Sequence, residues 1–320
     1  MQSNDDKRRW SDLPNEVVLD IAGAAEFDFA MLCNLQLVDR RLHHVLKTYE
    51  RSLCKGYAAN QLLHVIPYFP DLVSPQCGTR SNVGCVSGLS FSLLAEVQRR
   101  STALATLTRE VFRLAPVCCC LHGWHQIFKA GMLLLYRLSE RCMHPTVFVL
   151  GGKLMKTGDY DEKVNFIMSM PLHALVTIFV ALAQSIRAAQ IGGSGLIHRD
   201  SQPDDPSARS DIHLVFEDLV LQAGPELVID TLNHDKRAEH VLKVRYTSLE
   251  EMQTDDVDGT PPRKSFISQL KRAFAAECEC RISEVMSKAM ELAQTRPLRN
   301  MEEADVINLV RFDEEVGYRG

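Results

Sequence analysis

The sequence lacks the charge excess of a nucleic-acid or membrane-surface protein: its formal net charge is -5 and its pI is about 6.1. Without a basic surplus, no nucleic-acid partner and no anionic membrane partner is expected. An apolar stretch near Met1 is also missing, because Asp5, Asp6, Lys7, Arg8 and Arg9 stand where a secretory signal would need it. That pattern predicts an intracellular protein, in cytoplasm or nucleus. The ten cysteines then read as free thiols, mostly small core residues, since a reducing compartment does not sustain structural disulfides. Strand-like alternation is scarce, and no period of about 20 to 50 residues recurs, which argues against a leucine-rich, WD or kelch array.

Patterns that carry chemistry are thin as well. Cys118, His122 and His125 share one helix face and are soft ligands, yet a fourth ligand such as Cys278 or Cys280 is not indicated by spacing. Packed thiols and partly exposed imidazoles are the expectation there. His198, Arg199 and Asp200 open like a kinase catalytic loop, but Asp205 stands where that loop needs Asn, and no glycine-rich phosphate loop precedes it. Gly192, Gly193, Ser194 and Gly195 resemble part of a nucleophile elbow, with Leu196 in place of its closing glycine. Asp256, Asp258 and Gly259 fall in a calcium-loop register that would put Thr254 first and Ser265 twelfth, where a bidentate Glu is required. No catalytic residue, cofactor or metal ligand is therefore expected.

What the sequence does contain is helical periodicity. Leu93, Val97, Leu104, Leu107 and Val111 fall on one face, and Phe266, Leu270, Phe274, Ile282, Val285, Ala289 and Leu292 repeat the spacing. The fold is expected to be all-α. Phe166 to Ala183 is an uncharged stretch of near-spanning length, but Pro171, His173, Ser169 and Thr177 interrupt it. It is expected to be a helix buried in a protein core, with no membrane partner. Turn formers mark breaks near residues 67–88, 192–210 and 254–262. The predicted organisation is a polar tail over 1–9, a helical module over 10–55, a connector over 56–88 and a helical region over 89–314. Flexible loops are expected near 192–210 and 254–262.

The module over residues 10–53 begins with Ser11 or Asp12 as candidate caps, followed by Pro14 and Glu16 in the first turn of a helix. Val17, Val18 and Ile21 form its expected apolar face, and Ala22 to Ala25 end it. Asp28 is positioned to cap the next helix. Leu32, Leu35, Val38, Leu42, Val45, Leu46, Tyr49 and Leu53 then recur at helical spacing. About 40 residues can hardly bury such stripes alone, so this piece needs a partner surface, either the rest of the chain or another protein.

Leu13, Pro14, Asn15 and Glu16, followed by Val17, Val18 and Ile21 and then by Leu32, Leu35, Val38, Arg40 and Arg41, resemble the F-box pattern of an LPxE start and a closing V-x-R segment. The likeness is to F-box proteins of the fungal type. The chain departs from that pattern at Ala22 to Ala25, Asp39 and Leu42, where bulkier, Cys or Ser, and aromatic residues are usual. The resemblance implies a small helical bundle that docks on the Skp adaptor and, through it, on a cullin. The remainder of the chain would recruit a protein substrate for ubiquitin transfer. It also implies that Leu13, Pro14, Val17, Val18, Ile21, Leu32, Leu35 and Val38 form or support the adaptor interface. The competing readings are the N-terminal hairpin of one larger helical domain, an interaction scaffold with no ubiquitin role, and a helical enzyme built on the Cys118, His122, His125 cluster.

Overall fold

Pro14 has no amide hydrogen and a fixed φ, so a helix can begin immediately after it. In the computed structural model, which describes residues 13–73, 89–116, 123–140, 157–254 and 265–312, Pro14 is the N-cap of α1 (Asn15–Ala24). Asp28 caps α2 (Phe29–Val38), its carboxylate accepting from the amides of Ala30 at 2.9 Å and Met31 at 3.2 Å. Asp39 ends α2 and caps α3 (Arg40–Asn60) by accepting from the Arg41 amide at 3.0 Å. Helices α4 (Pro70–Val73) and α5 (Phe91–Leu114) follow. The chain divides after Thr102, within α5, into two compact units. Among the described residues 83% are helical and none is in a strand, so the fold is all-α.

The N-terminal unit is organised along α3. Leu46, Leu53, Cys54 and Tyr57 of α3 face inward and meet Ala22 and Phe27, Leu32 of α2, and Phe91 and Leu94 of α5. Burial pushes the Cys54 thiol up to about 12, so it stays protonated and acts as a small apolar filler. A second, smaller cluster joins Val18 of α1 to Leu42 and Val45 of α3. The Glu50 carboxylate accepts from the Phe91 amide at 2.9 Å and so ties the start of α5 to α3. The core of this unit thus runs past residue 55, the expected end of the module, to Leu62, Phe91 and Leu94.

The C-terminal unit is built on α6 (Trp124–Glu140) and α8 (Leu172–Gly192). Gly131 allows the two helices to touch: a Cβ there would lie 2.2 Å from the Thr177 carbonyl oxygen and 2.6 Å from the Ala181 Cβ. Helix α8 is apolar and long enough to cross a membrane by composition, and 78% of its most apolar window is buried inside the fold. The uncharged stretch that the sequence reads as one helix is in fact two, α7 (Thr157–Ser169) and α8, parted where Pro171 caps the second. Proline cannot donate to the preceding turn, which explains the break.

Around this pair lie α9 (Pro206–Ala223), α10 (Pro225–Leu232), α11 (Lys236–Thr254), α12 (Phe266–Cys278), α13 (Val285–Ala293), α14 (Arg296–Arg299) and α15 (Glu303–Val310). The continuous pattern from Phe266 to Leu292 is also split, because Glu279 takes a left-handed conformation with φ 50° and ends α12. Residues 192–210, expected to be a flexible loop, form two 3-10 turns, Gly195–Ile197 and Arg199–Ser201, and the start of α9. Ile197 is fully buried there, and its carbonyl accepts from the Gln202 amide at 2.9 Å. An apolar anchor turns the glycine-rich segment into packed structure. The other expected loop, 254–262, lies outside the described residues apart from Thr254, as do the tail over 1–9 and residues 74–88 of the connector.

Buried charge in this unit is matched by hydrogen bonds. Arg137, 1% exposed, donates to the Val310 carbonyl and lies over the rings of Phe166 and Phe312 at 5.4 and 5.7 Å. Lys163 donates to the Gln222 carbonyl at 2.9 Å. Asp218 caps α12 from another helix, accepting from the amides of Phe266 at 2.7 Å and Ile267 at 3.2 Å. Glu217 differs: it is buried, and its Oε2 has no hydrogen-bond partner among the described residues.

Two predictions follow from this packing. Gly131→Ala drives a methyl into the α8 backbone, and the expected loss is about 1–3 kcal/mol or more, seen as a lowered melting temperature by calorimetry. Burial raises the Glu217 carboxyl to about 7 from its ordinary 4.5. Because the folded value is the higher, the group's contribution is fully favourable below pH 4.5 and is lost as pH rises through 7. Glu217→Gln is therefore expected to stabilise the protein at pH 8 by on the order of 3 kcal/mol and to do little at pH 4 to 5. Denaturant titrations at the two pH values measure this, and an equal effect at both would refute the assignment.

Candidate docking surface

Helix α1 has only ten residues, too few to hold itself together in water. It is fixed by α3 at both ends. At its start, the Arg41 guanidinium donates to the Leu13 carbonyl and to Asn15 Oδ1, from Nε at 3.1 Å and from Nη2 at 2.7 Å. At its end, the Tyr57 hydroxyl donates to the Ala22 carbonyl. Just beyond, the Gln61 side chain donates to the Ala25 carbonyl at 3.0 Å and accepts from the Phe27 amide at 2.7 Å. Phe27 and Tyr57 add a ring contact with centroids 5.1 Å apart. The turn between α1 and α2 is held in one geometry.

With α1 held in this way, its two sides differ. Val18 and Ala22, four residues apart, point into the unit and are buried. Pro14, Val17 and Ile21 share the other side, at the spacing of successive helical turns. All three are exposed, Val17 at 38% and Ile21 at 45%. The sequence places Val17, Val18 and Ile21 on a single apolar face; in the structure Val18 turns to the core because adjacent residues on a helix diverge by about 100°.

Helix α2 divides similarly. Leu32 is fully buried, and Met31 and Leu35 are partly buried against the same core. At the helix's end Leu37 and Val38 stand 84% and 72% exposed, and Phe29 at its start is 38% exposed. Of the eight residues expected at the interface, Pro14, Val17, Ile21 and Val38 are therefore on the surface. Leu13 and Leu35 are half-buried, and Val18 and Leu32 belong to the core. Leu13 packs against the cluster of Val18, Leu42 and Val45 and so anchors the turn that precedes α1.

Phe29 and Leu37 were not among the expected residues. Leu37 is five positions from Leu32 and so lies well off the buried stripe, a signal present in the helical register. The exposed apolar side chains alternate with few charges on α1 and α2, and that composition fits an apolar protein surface better than a polar ligand. No group there is arranged for covalent or acid-base chemistry.

The metal-like cluster is only partly described. Cys118 and His122 lie outside the described residues, and the His125 ring stacks on Phe112 with centroids 4.0 Å apart. Among the described residues no three of His, Cys, Asp and Glu gather closely enough to hold a metal ion. Comparison of the chain with protein-family models, with curated proteins and with solved structures finds no match.

Proposed function

We propose that the N-terminal unit is an F-box that docks on a helical surface of a Skp-type adaptor. On this reading the chain is a substrate-recruiting subunit of a cullin-RING ubiquitin ligase. The observation that supports it most is the division of one hydrophobic pattern into two jobs. Half of the apolar residues that resemble the F-box close the unit's own core, and the other half, Pro14, Val17, Ile21 and Val38, stay exposed, joined by Leu37 at the end of α2.

Complete burial of an exposed side chain of this kind contributes roughly 1.5–3 kcal/mol, and Leu37 and Val38, 84% and 72% exposed, have the most of it to gain on docking, against the entropic cost of association. A few central residues would carry most of that energy. The chain supplies position rather than chemistry: a substrate held by the C-terminal unit is kept close to the charged enzyme, which raises its effective concentration. The helical-scaffold reading uses the same exposed side chains for a partner outside the ubiquitin system.

Co-purification of the full-length tagged chain with adaptor and cullin separates these readings. Val17→Asp with Ile21→Asp places charges on exposed positions, and the expected result is loss of both partners with an unchanged melting temperature. Leu32→Ala removes a fully buried side chain, so it is expected to cost about 2–5 kcal/mol of stability before it affects binding. If the unaltered chain captures neither partner, the scaffold reading replaces the F-box reading.

A further inference from the structure

The F-box resemblance quotes two adjacent arginines, and the structure gives them different surroundings. Arg40 is exposed, with no side-chain hydrogen bond among the described residues, whereas Arg41 is half-buried and forked across the start of α1. We infer that Arg41 is a positioning residue for the docking surface, a latch from α3 that holds Leu13, Pro14 and Asn15 so that Val17 and Ile21 are presented outward.

Helix α1 lacks the usual means of fixing its first turn. Its N-cap is Pro14, which makes no side-chain cap hydrogen bond. The chain before α1 is instead held from a distance of 28 residues by the contact of Arg41 with the Leu13 carbonyl, and from 26 residues by its contacts with Asn15. A guanidinium suits this task because its planar fork reaches two acceptors at once, and hydrogen bonds from a cation are stronger than neutral ones. The side chain of Leu13 packs on Val18, Leu42 and Val45, so this residue is held through both its carbonyl and its side chain.

Direction follows from this grip. The start of α1 sets which side of the helix Val17 and Ile21 occupy, since a rotation by one residue would carry them into the places of Val18 and Ala22, both buried. Arg41 therefore acts on the docking surface without belonging to it. The consequence for adaptor binding rests on the F-box reading; the latch itself is a property of the free chain.

The test uses the full-length chain with two readouts: backbone amide exchange of residues 13–24 without any partner, and affinity for purified adaptor. In Arg41→Ala, exchange over 13–24 is expected to rise about ten-fold or more, as for the loss of hydrogen bonds to a charged group, and adaptor affinity is expected to fall by a similar factor. Arg40→Ala is expected to change neither. Asn15→Ala removes one of the two acceptors and leaves α3 intact, so it should reproduce a smaller form of the same local effect even if Arg41→Ala loosens the whole unit. Arg41→Lys keeps the charge without the fork, and full rescue by it would overturn the latch. So would unchanged exchange over 13–24 in both Arg41→Ala and Asn15→Ala. A loss of affinity with unchanged exchange would place Arg41 in contact with the adaptor and also overturn the positioning role. If the unaltered chain does not bind the adaptor while exchange responds as expected, the latch stands and the F-box reading fails.

Discussion

Everything in the N-terminal unit depends on α3 being long enough to hold two short helices. At 21 residues it spans the unit, and α1 and α2, each of ten residues, gain from it the order that they cannot supply themselves. Its inward face provides the apolar contacts through Leu42, Val45, Leu46, Leu53 and Tyr57. Polar side chains provide the register: Arg41 of α3 before α1, Tyr57 of α3 at the end of α1, and Gln61, the residue that ends α3, in the turn to α2. Apolar burial is non-directional, whereas these hydrogen bonds have fixed geometry. Together they determine which residues of α1 and α2 remain outside.

The C-terminal unit solves a different problem. Its central helix α8 is apolar on nearly every side, so it must be surrounded. Gly131 lets α6 approach its backbone directly, and the peripheral helices are held by buried or half-buried charges whose hydrogen bonds go to backbone atoms of other helices. Arg137 reaches the end of α15, Lys163 the end of α9, and Asp218 the start of α12. Helix ends carry unpaired carbonyls or amides, which makes them the natural partners for such groups. Glu217 differs in leaving a carboxyl oxygen without a partner among the described residues, and its burial raises the carboxyl to about 7.

Much of this organisation was legible in the residues. Periodicity alone indicated an all-α fold, and Asp28 acts as a cap as its position suggested. The uncharged stretch at Phe166 to Ala183 reads in the sequence as one buried helix, whereas Pro171 divides it between the end of α7 and the start of α8. Periodicity could not reveal the left-handed Glu279, because an apolar repeat can keep phase across a short turn. Nor could it show that Ile197 would fold a glycine-rich segment into packed turns, since one buried anchor outweighs local composition only when a core is present to receive it.

For the candidate docking surface, the sequence by itself determined most of the apolar set, Phe29 and Leu37 excepted, together with the start of α1 at the Leu13–Pro14 pair and the resemblance to an F-box. It could not divide that set into core and surface. Val17 and Val18 are chemically the same residue, and Leu32 differs from Leu37 only in helical phase. Only the tertiary structure decided that Val18 and Leu32 are buried while Val17, Ile21, Leu37 and Val38 are exposed. The reason is that exposure is set by where α3 lies, and α3 is fixed by contacts between residues 26 to 36 positions apart, which no local pattern encodes.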